Sequence, residues 1–230
     1  MTDEYLLYVE KFSRNNGQGD LFDSFYKALN SGIIIPLNFN FLGFRNASGE
    51  YVENIGLPGI SARRFPEHWA AFHILIKDKL PNLIDNLNSI YGQHTENRLR
   101  FSLGNFTTHS YNISDFLSSD INFPGDELSD LSLRIVNNLT VRIKPRVITP
   151  RASLIDGLEQ AQYHSNGVLD IFYNTILKSP VLAHEIGHGF FGYDHHESRK
   201  CVMDSFLDQT VDDKFQFCEE DRATLLRLIY

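Results

Sequence analysis

The sequence predicts an α/β (α+β) fold: a mixed, twisted sheet backed by a long helix, a second helix carrying a His-Glu-x-x-His run, and a small C-terminal subdomain closed by a terminal helix. Three observations lead there. Short segments with apolar residues at alternate positions, the pattern of half-buried strands, are interleaved with segments whose apolar residues recur at helical spacing. One helical pattern, beginning after Pro66 with Trp69, Phe72, Ile76 and Leu80 on one face, is longer than the others. With 42% hydrophobic and 13% aromatic content, the 230 residues can bury one substantial core.

Taken in order, residues 3 to 30 carry two short helical patterns, Tyr5/Leu6/Val9/Phe12 and Leu21/Phe22/Phe25/Tyr26/Leu29, separated by the turn-forming run Asn15 to Gly19. They set residues 1–32 apart as a helical N-terminal appendage to a domain spanning 33–230. Ile33 to Phe44 alternates Leu37, Phe39 and Phe41 against Asn38 and Asn40 and reads as a first strand. In the long helix Pro81, which lacks an amide N–H, is expected to kink or restart the chain before Leu83, Ile84, Leu87 and Ile90. A second strand is expected over Leu99 to Leu103, a helix over Asp126 to Val136, and a third strand over Leu139 to Ile148. Gly157 to His164 and Val168 to Tyr173 read as two further strands joined by the turn Ser165-Asn166-Gly167. A helix from about Ser179 to Phe191 holds the His-Glu-x-x-His run, and Asp221 to Ile229 forms the terminal helix. The domain divides at about residue 192, with 193–230 as the C-terminal subdomain.

The formal charge of -8, with no basic run, argues against nucleic acid or an anionic membrane as the main partner. Met1 to Tyr8 has neither a basic region nor an apolar core, so no signal peptide is read there. The densest apolar stretch, Ile33 to Phe44, is interrupted by Pro36, Asn38 and Asn40 and falls short of the roughly 20 residues of a membrane span. The expected location is cytoplasmic, or outside the cell by a signal-independent route.

The chemistry is concentrated near position 190. Four of the nine histidines fall between positions 184 and 196, and three of them stand in or just after Leu182-Ala183-His184-Glu185-Ile186-Gly187-His188 at spacings that suit a metal. Four residues apart on a helix, His184 and His188 share a face and can present two imidazole nitrogens to one Zn²⁺ ion. Glu185, one position round, can take a proton from a water at the metal's open position. Gly192 fits a chain reversal at the helix C-terminus. His195, Asp194 and His196 follow as candidates for a third ligand. His109 and His164 lie outside the run and are not assigned to it.

This arrangement resembles the metzincin metallopeptidases, whose pattern puts Gly three residues after the second His and the third His three after that. Here Gly192 is four after His188 and Asp194 occupies the usual third-ligand position, while the Gly192-to-His195 interval is normal. One extra residue within Gly189-Phe190-Phe191 accounts for the difference. Among metzincins the sequence is most similar to the archaemetzincin family, in which the third His is followed by Cys, four residues, Cys-x-Met and later Cys-x-x-Cys. His195 is followed here by His196, Glu197 to Lys200, and Cys201-Val202-Met203, with Cys218 to Asp221 further on. Gly157 to Gln162 looks like the family's cleft-edge strand.

The resemblance implies a metzincin-like catalytic domain and a zinc-dependent metallopeptidase that acts on a peptide or protein substrate. One catalytic zinc would sit on His184, His188 and His195, with Asp194 and His196 as alternative ligands, and Glu185 would activate the water. Met203 would form the Met-turn beneath the metal, and Gln160, Ala161 and Gln162 would lie against substrate. The family's second, structural zinc on four cysteines is not expected, because only Cys201 and Cys218 remain, with His196 and Asp221 at the other two positions. Those cysteines form a disulfide if the protein is exported, or pack as free thiols if it is not. The competing function is a zinc-binding protein that holds a peptide without cleaving it; Glu185 argues against it, since metal binding alone does not need that residue.

Overall fold

A computed structural model describes residues 33–56, 69–118, 122–125, 139–148, 161–164, 168–191, 201–203 and 216–229. The elements are β1 (Ile33–Arg45), β2 (Asn54–Gly56), α1 (Trp69–Thr95), β3 (Leu99–Asn112), α2 (Ile113–Leu117), β4 (Leu139–Lys144), β5 (Arg146–Ile148), β6 (Ala161–His164), β7 (Val168–Phe172), α3 (Ser179–Phe191) and α4 (Glu219–Ile229). The expected appendage 1–32, the helix at 126–136, the first residues of the 157–164 strand and the turn at 165–167 lie outside the described residues.

Five strands form one sheet in the order β3-β1-β4-β7-β6, and β2 pairs with β5 in a separate two-stranded sheet. All neighbours in the large sheet are parallel except β6, which runs antiparallel to β7 at the edge. This is the expected mixed α/β architecture. Register sorts the side chains by face. Leu37, Phe39 and Phe41 of β1 lie opposite Leu139, Val141 and Ile143 of β4. Val141 and Ile143 in turn face Leu169 and Ile171 of β7. These residues belong to one buried cluster with Ile76, Leu80 and Leu87 of α1 and Leu182, Ala183 and Ile186 of α3. Both long helices therefore bury their apolar stripes on the same side of the sheet.

Three expectations are corrected. The helix does not restart at Pro81: α1 runs unbroken through it for 27 residues. Pro81 and Lys77, whose carbonyl the proline cannot serve, are both exposed, so water can take the missing hydrogen bond. The strand expected over 139–148 is two strands on two sheets, divided at Pro145, which has no N–H to give a central ladder. The second strand extends well beyond Leu103, to Asn112. A register shift between Leu37 and Phe39 on the partner strand absorbs the Gly104-Asn105 step, where the side chain of Asn38 accepts the Asn105 N–H at 2.9 Å. Gly43 has a packing reason: a Cβ there would come within 2.6 Å of the Trp69 ring and 2.7 Å of the Tyr51 ring. Those two rings stack at 4.1 Å and close the end of the core.

Candidate metal centre

Helix α3 begins at Ser179, whose hydroxyl accepts a hydrogen bond from Asn86 Nδ2 of α1 at 3.1 Å. One turn on, Tyr91 of α1 donates its hydroxyl to the Ala183 carbonyl at 2.9 Å, inside the core. Burial among apolar neighbours and the Asp221 carboxylate push the Tyr91 hydroxyl well above its ordinary pKa, so it stays protonated and remains a donor. The long helix thus fixes α3 at the residue before His184.

On that helix His184, Glu185 and His188 are all buried, with 7%, 6% and 8% of their surface exposed. Three buried polar side chains on one helix need partners. His184 Nδ1 lies 2.6 Å from the Val202 carbonyl oxygen. A carbonyl only accepts, so Nδ1 carries a proton, and in the neutral imidazole Nε2 then presents a lone pair. His188 Nε2 stands 3.0 Å from His184 Nε2, with the two rings perpendicular and their centroids 4.6 Å apart. Facing that lone pair, His188 either donates its own N–H or, in the other tautomer, shares a cation. Two nitrogens of a tetrahedral zinc at about 2.0–2.1 Å are roughly 3.3 Å apart, so the pair needs little adjustment to hold one.

The segment Cys201–Met203 runs beneath His184. Val202 and Met203 are fully buried. The Val202 N–H donates to the Gln216 carbonyl at 3.1 Å, and Cys201 and Gln216 form an isolated parallel bridge. Cys201 and Cys218 are joined as a disulfide with Cα atoms 5.2 Å apart. With Asp221 they gather three ligand-type atoms within 4.8 Å of one another. Bonded to each other, the sulfurs are not thiolates, and the pair adopts the first of the two states foreseen for it.

Other expected site residues separate cleanly. Ala161 is buried on β6 and Gln162 is exposed beside it. Their strand is the antiparallel edge of the sheet. Gln160, Gly192, Asp194, His195 and His196 lie outside the described residues.

Two buried polar features escaped the sequence reading. On the sheet face opposite the helices, Asp170 of β7 is buried and binds Arg142 Nε at 2.5 Å, Lys144 Nζ, and His164 Nε2 at 3.0 Å. Burial pushes the Asp170 carboxyl up, but the His164 hydrogen bond and the charges of Lys144 and Arg142 outweigh it and hold the group well below the usual carboxylate range. The signal was available, since a charge inside the buried run Val168-Leu169-Asp170-Ile171-Phe172 demands a partner. The second feature is a single residue. His94, near the end of α1, is buried with neither ring nitrogen hydrogen-bonded. Burial and the nearby Arg222 lower its pKa to about 4, so it is neutral near pH 7.

The sequence matches no protein-family model and no curated protein. Among solved structures, the chain is similar to a zinc-dependent peptidase from Methanocorpusculum labreanum, at 13% identity and a TM-score of 0.37, over 82% of this chain and 100% of that one. It is also similar to a structure described as a chaperone-substrate complex, at 11% identity and a TM-score of 0.41, over 86% of this chain and 38% of that one. At these TM-scores the likenesses carry no argument, and the functional reading rests on the chain's own residues.

Proposed function

We propose that the protein is a metzincin-like, archaemetzincin-related zinc-dependent peptidase whose metal is held by His184, His188 and His195. The observation that carries this reading is the pair of buried imidazoles with Nε2 atoms 3.0 Å apart, one of them locked by Val202 in the tautomer that leaves Nε2 for a metal. An imidazole whose far nitrogen is anchored to a backbone carbonyl is the usual outer support of a zinc ligand. When bound, zinc supplies a water of lowered pKa and a Lewis acid for the scissile carbonyl.

The chain's own residues do the rest. Glu185, adjacent to the first imidazole and buried, takes the proton of the attacking water and returns it to the leaving amine. The substrate backbone adds as a strand along the 158–164 edge, with Gln160, Ala161 and Gln162 against it; the edge position of β6 supports this. Met203 lies in the segment that anchors His184 and forms an apolar floor under the site. The Cys201–Cys218 disulfide favours the exported alternative over the cytoplasmic one.

Glu185→Gln separates the peptidase from a peptide-binding zinc protein. It is expected to keep about one zinc per chain while cutting hydrolysis of a peptide-library substrate by at least about 100-fold, the scale of losing a general base. Near wild-type cleavage by this variant would exclude Glu185 as the base. Zinc titration of His195→Ala, Asp194→Ala and His196→Ala assigns the third ligand: a sharp loss of affinity is expected for His195→Ala alone.

A further inference from the structure

The disulfide lies one residue from the carbonyl that holds the metal-site imidazole. Cys201 is bonded to Cys218, and the next residue, Val202, gives its carbonyl to His184 Nδ1 at 2.6 Å and its N–H to Gln216 at 3.1 Å. Cys218 in turn donates its own N–H to Cys201 Sγ at 2.9 Å and directly precedes α4. Phe217, between Gln216 and Cys218, packs on the Tyr91 ring at 4.8 Å, and Tyr91 holds Ala183 of the zinc-motif helix. Val202 is therefore tied to the segment before α4, which packs on α1, and among the described residues the disulfide is the covalent tie between the two segments.

We infer that the Cys201–Cys218 disulfide is a redox-controlled positioning element for the His184 imidazole, so that reducing it weakens metal binding at His184 and His188. The inference rests on the proposed function for its metal, but the orientation of His184 can be read without one.

The reductant is a dithiol. Its thiolate attacks Cys218 Sγ, which is half-buried, whereas Cys201 is 1% exposed. The S–S bond breaks, Cys201 leaves as a thiolate and takes up a proton. The second thiol of the reductant, deprotonated, then displaces Cys218, which also ends protonated, and the reductant becomes a disulfide. Two electrons and two protons are transferred. The Asp221 carboxylate, 3.4 Å from Cys201 Sγ, opposes the departing negative charge and so disfavours reduction, while the Cys218 N–H favours it.

Coupling between two equilibria is reciprocal. If the oxidised chain binds zinc more tightly, zinc must make the disulfide harder to reduce by the same factor, and each tenfold is about 30 mV for a two-electron couple. The experiment uses the full chain. Zinc affinity is measured against a competing chelator in the oxidised form, in the reduced form after anaerobic removal of reductant, and in a Cys201→Ser/Cys218→Ser variant. The midpoint of the disulfide is measured in dithiol buffers with and without zinc, and the His184 Nδ1–H proton is followed by NMR in the metal-free chain.

The oxidised form is expected to bind zinc at least tenfold more tightly than the other two, zinc is expected to lower the midpoint by about 30 mV per tenfold, and the His184 proton signal is expected to broaden on reduction. Equal affinities with an unmoved midpoint overturn the inference. So does a midpoint raised by zinc with two zinc ions per reduced chain, which would make the thiols ligands. A chain that binds no zinc in either state overturns the proposed function instead; the inference about His184 then stands if its proton signal broadens on reduction and falls if the signal is unchanged.

Discussion

The two faces of the central sheet differ in the polar chemistry they bury. On the helix side Leu37, Phe39, Phe41, Val141, Ile143, Leu169 and Ile171 are fully buried and hydrocarbon packs against hydrocarbon. On the opposite side the same strands bury Asn40, Thr140, Arg142 and Asp170 beside Leu42, Phe44 and Val168. The Asn40 side chain accepts the Thr107 hydroxyl at 2.6 Å, and Asp170 gathers Arg142, Lys144 and His164. Apolar burial is non-directional and insensitive to pH, whereas a buried carboxylate among cations is directional and exists only while it is ionised. The candidate metal helix packs on the first kind of face. Its geometry should therefore be indifferent to much of what disturbs the second.

Neighbouring residues of β7 test this most sharply. Asp170→Asn leaves the buried Arg142 and the partly buried Lys144 without their anion and is expected to destabilise the fold by about 3–5 kcal/mol near neutral pH. Leu169→Ala, one residue away on the apolar face, is expected to lose about 2–5 kcal/mol through transfer and cavity terms. Denaturant titration across pH distinguishes them. Because the folded-state pKa of Asp170 is depressed, its contribution is complete above the ordinary Asp value of 3.8 and erodes as pH falls below it. The gap between wild type and Asp170→Asn should close in acid, while the cost of Leu169→Ala should not. Zinc affinity, measured on folded protein, should survive Asp170→Asn within a few-fold; a loss as large as that of His184→Ala would mean the two faces are coupled.

His94 contributes a second pH dependence in a separate window. Its folded pKa, about 4, lies below the ordinary histidine value of 6.5, so the folded state binds fewer protons than the unfolded state between those values. Stability from this residue is present above pH 6.5 and is lost as pH falls toward 4, ahead of the Asp170 effect. His94→Phe is expected to leave the melting temperature near its wild-type value at pH 7.5 and to raise it relative to wild type at pH 5. Parallel melting curves at both pH values would rule out the buried neutral imidazole as the cause.

The same contrast explains what the sequence disclosed. Apolar alternation made β1 readable within a residue, and the His-Glu-x-x-His helix was bounded as it is found, from Ser179 to Phe191. Alternation fails where a strand is not half-buried against hydrocarbon. Beyond Leu103, β3 pairs with β1 at the sheet edge, and its apolar residues Phe106 and Tyr111 stand five positions apart, so Asn105 to Asn112 carried no alternating signal. Pro145 did carry one, as a residue that cannot sit inside a central strand, and it marks where the chain leaves the large sheet. In the site, ligand-type residues and their helical spacing were legible because they are local. The supports were not: the Val202 carbonyl and the Tyr91 hydroxyl act through tertiary contacts 18 and 92 residues away in sequence, and no residue type announces a backbone carbonyl.

The smallest expected effect concerns Met203, where the two kinds of chemistry meet. It is fully buried in the apolar cluster yet directly follows the residue that orients His184. If Met203 is a floor, its shape matters and its sulfur does not. Met203→Leu is close to volume-conserving and should cost less than about 1.5 kcal/mol, with zinc affinity unchanged within a few-fold. Met203→Ala keeps the backbone but leaves a cavity and should cost about 2–5 kcal/mol. Any loss of zinc affinity in that variant should follow the mobility of the Val202 carbonyl and appear as broadening of the His184 Nδ1–H signal. A large drop in zinc affinity in Met203→Leu, with the melting temperature and the His184 signal unchanged, would instead give the thioether a direct part in metal binding.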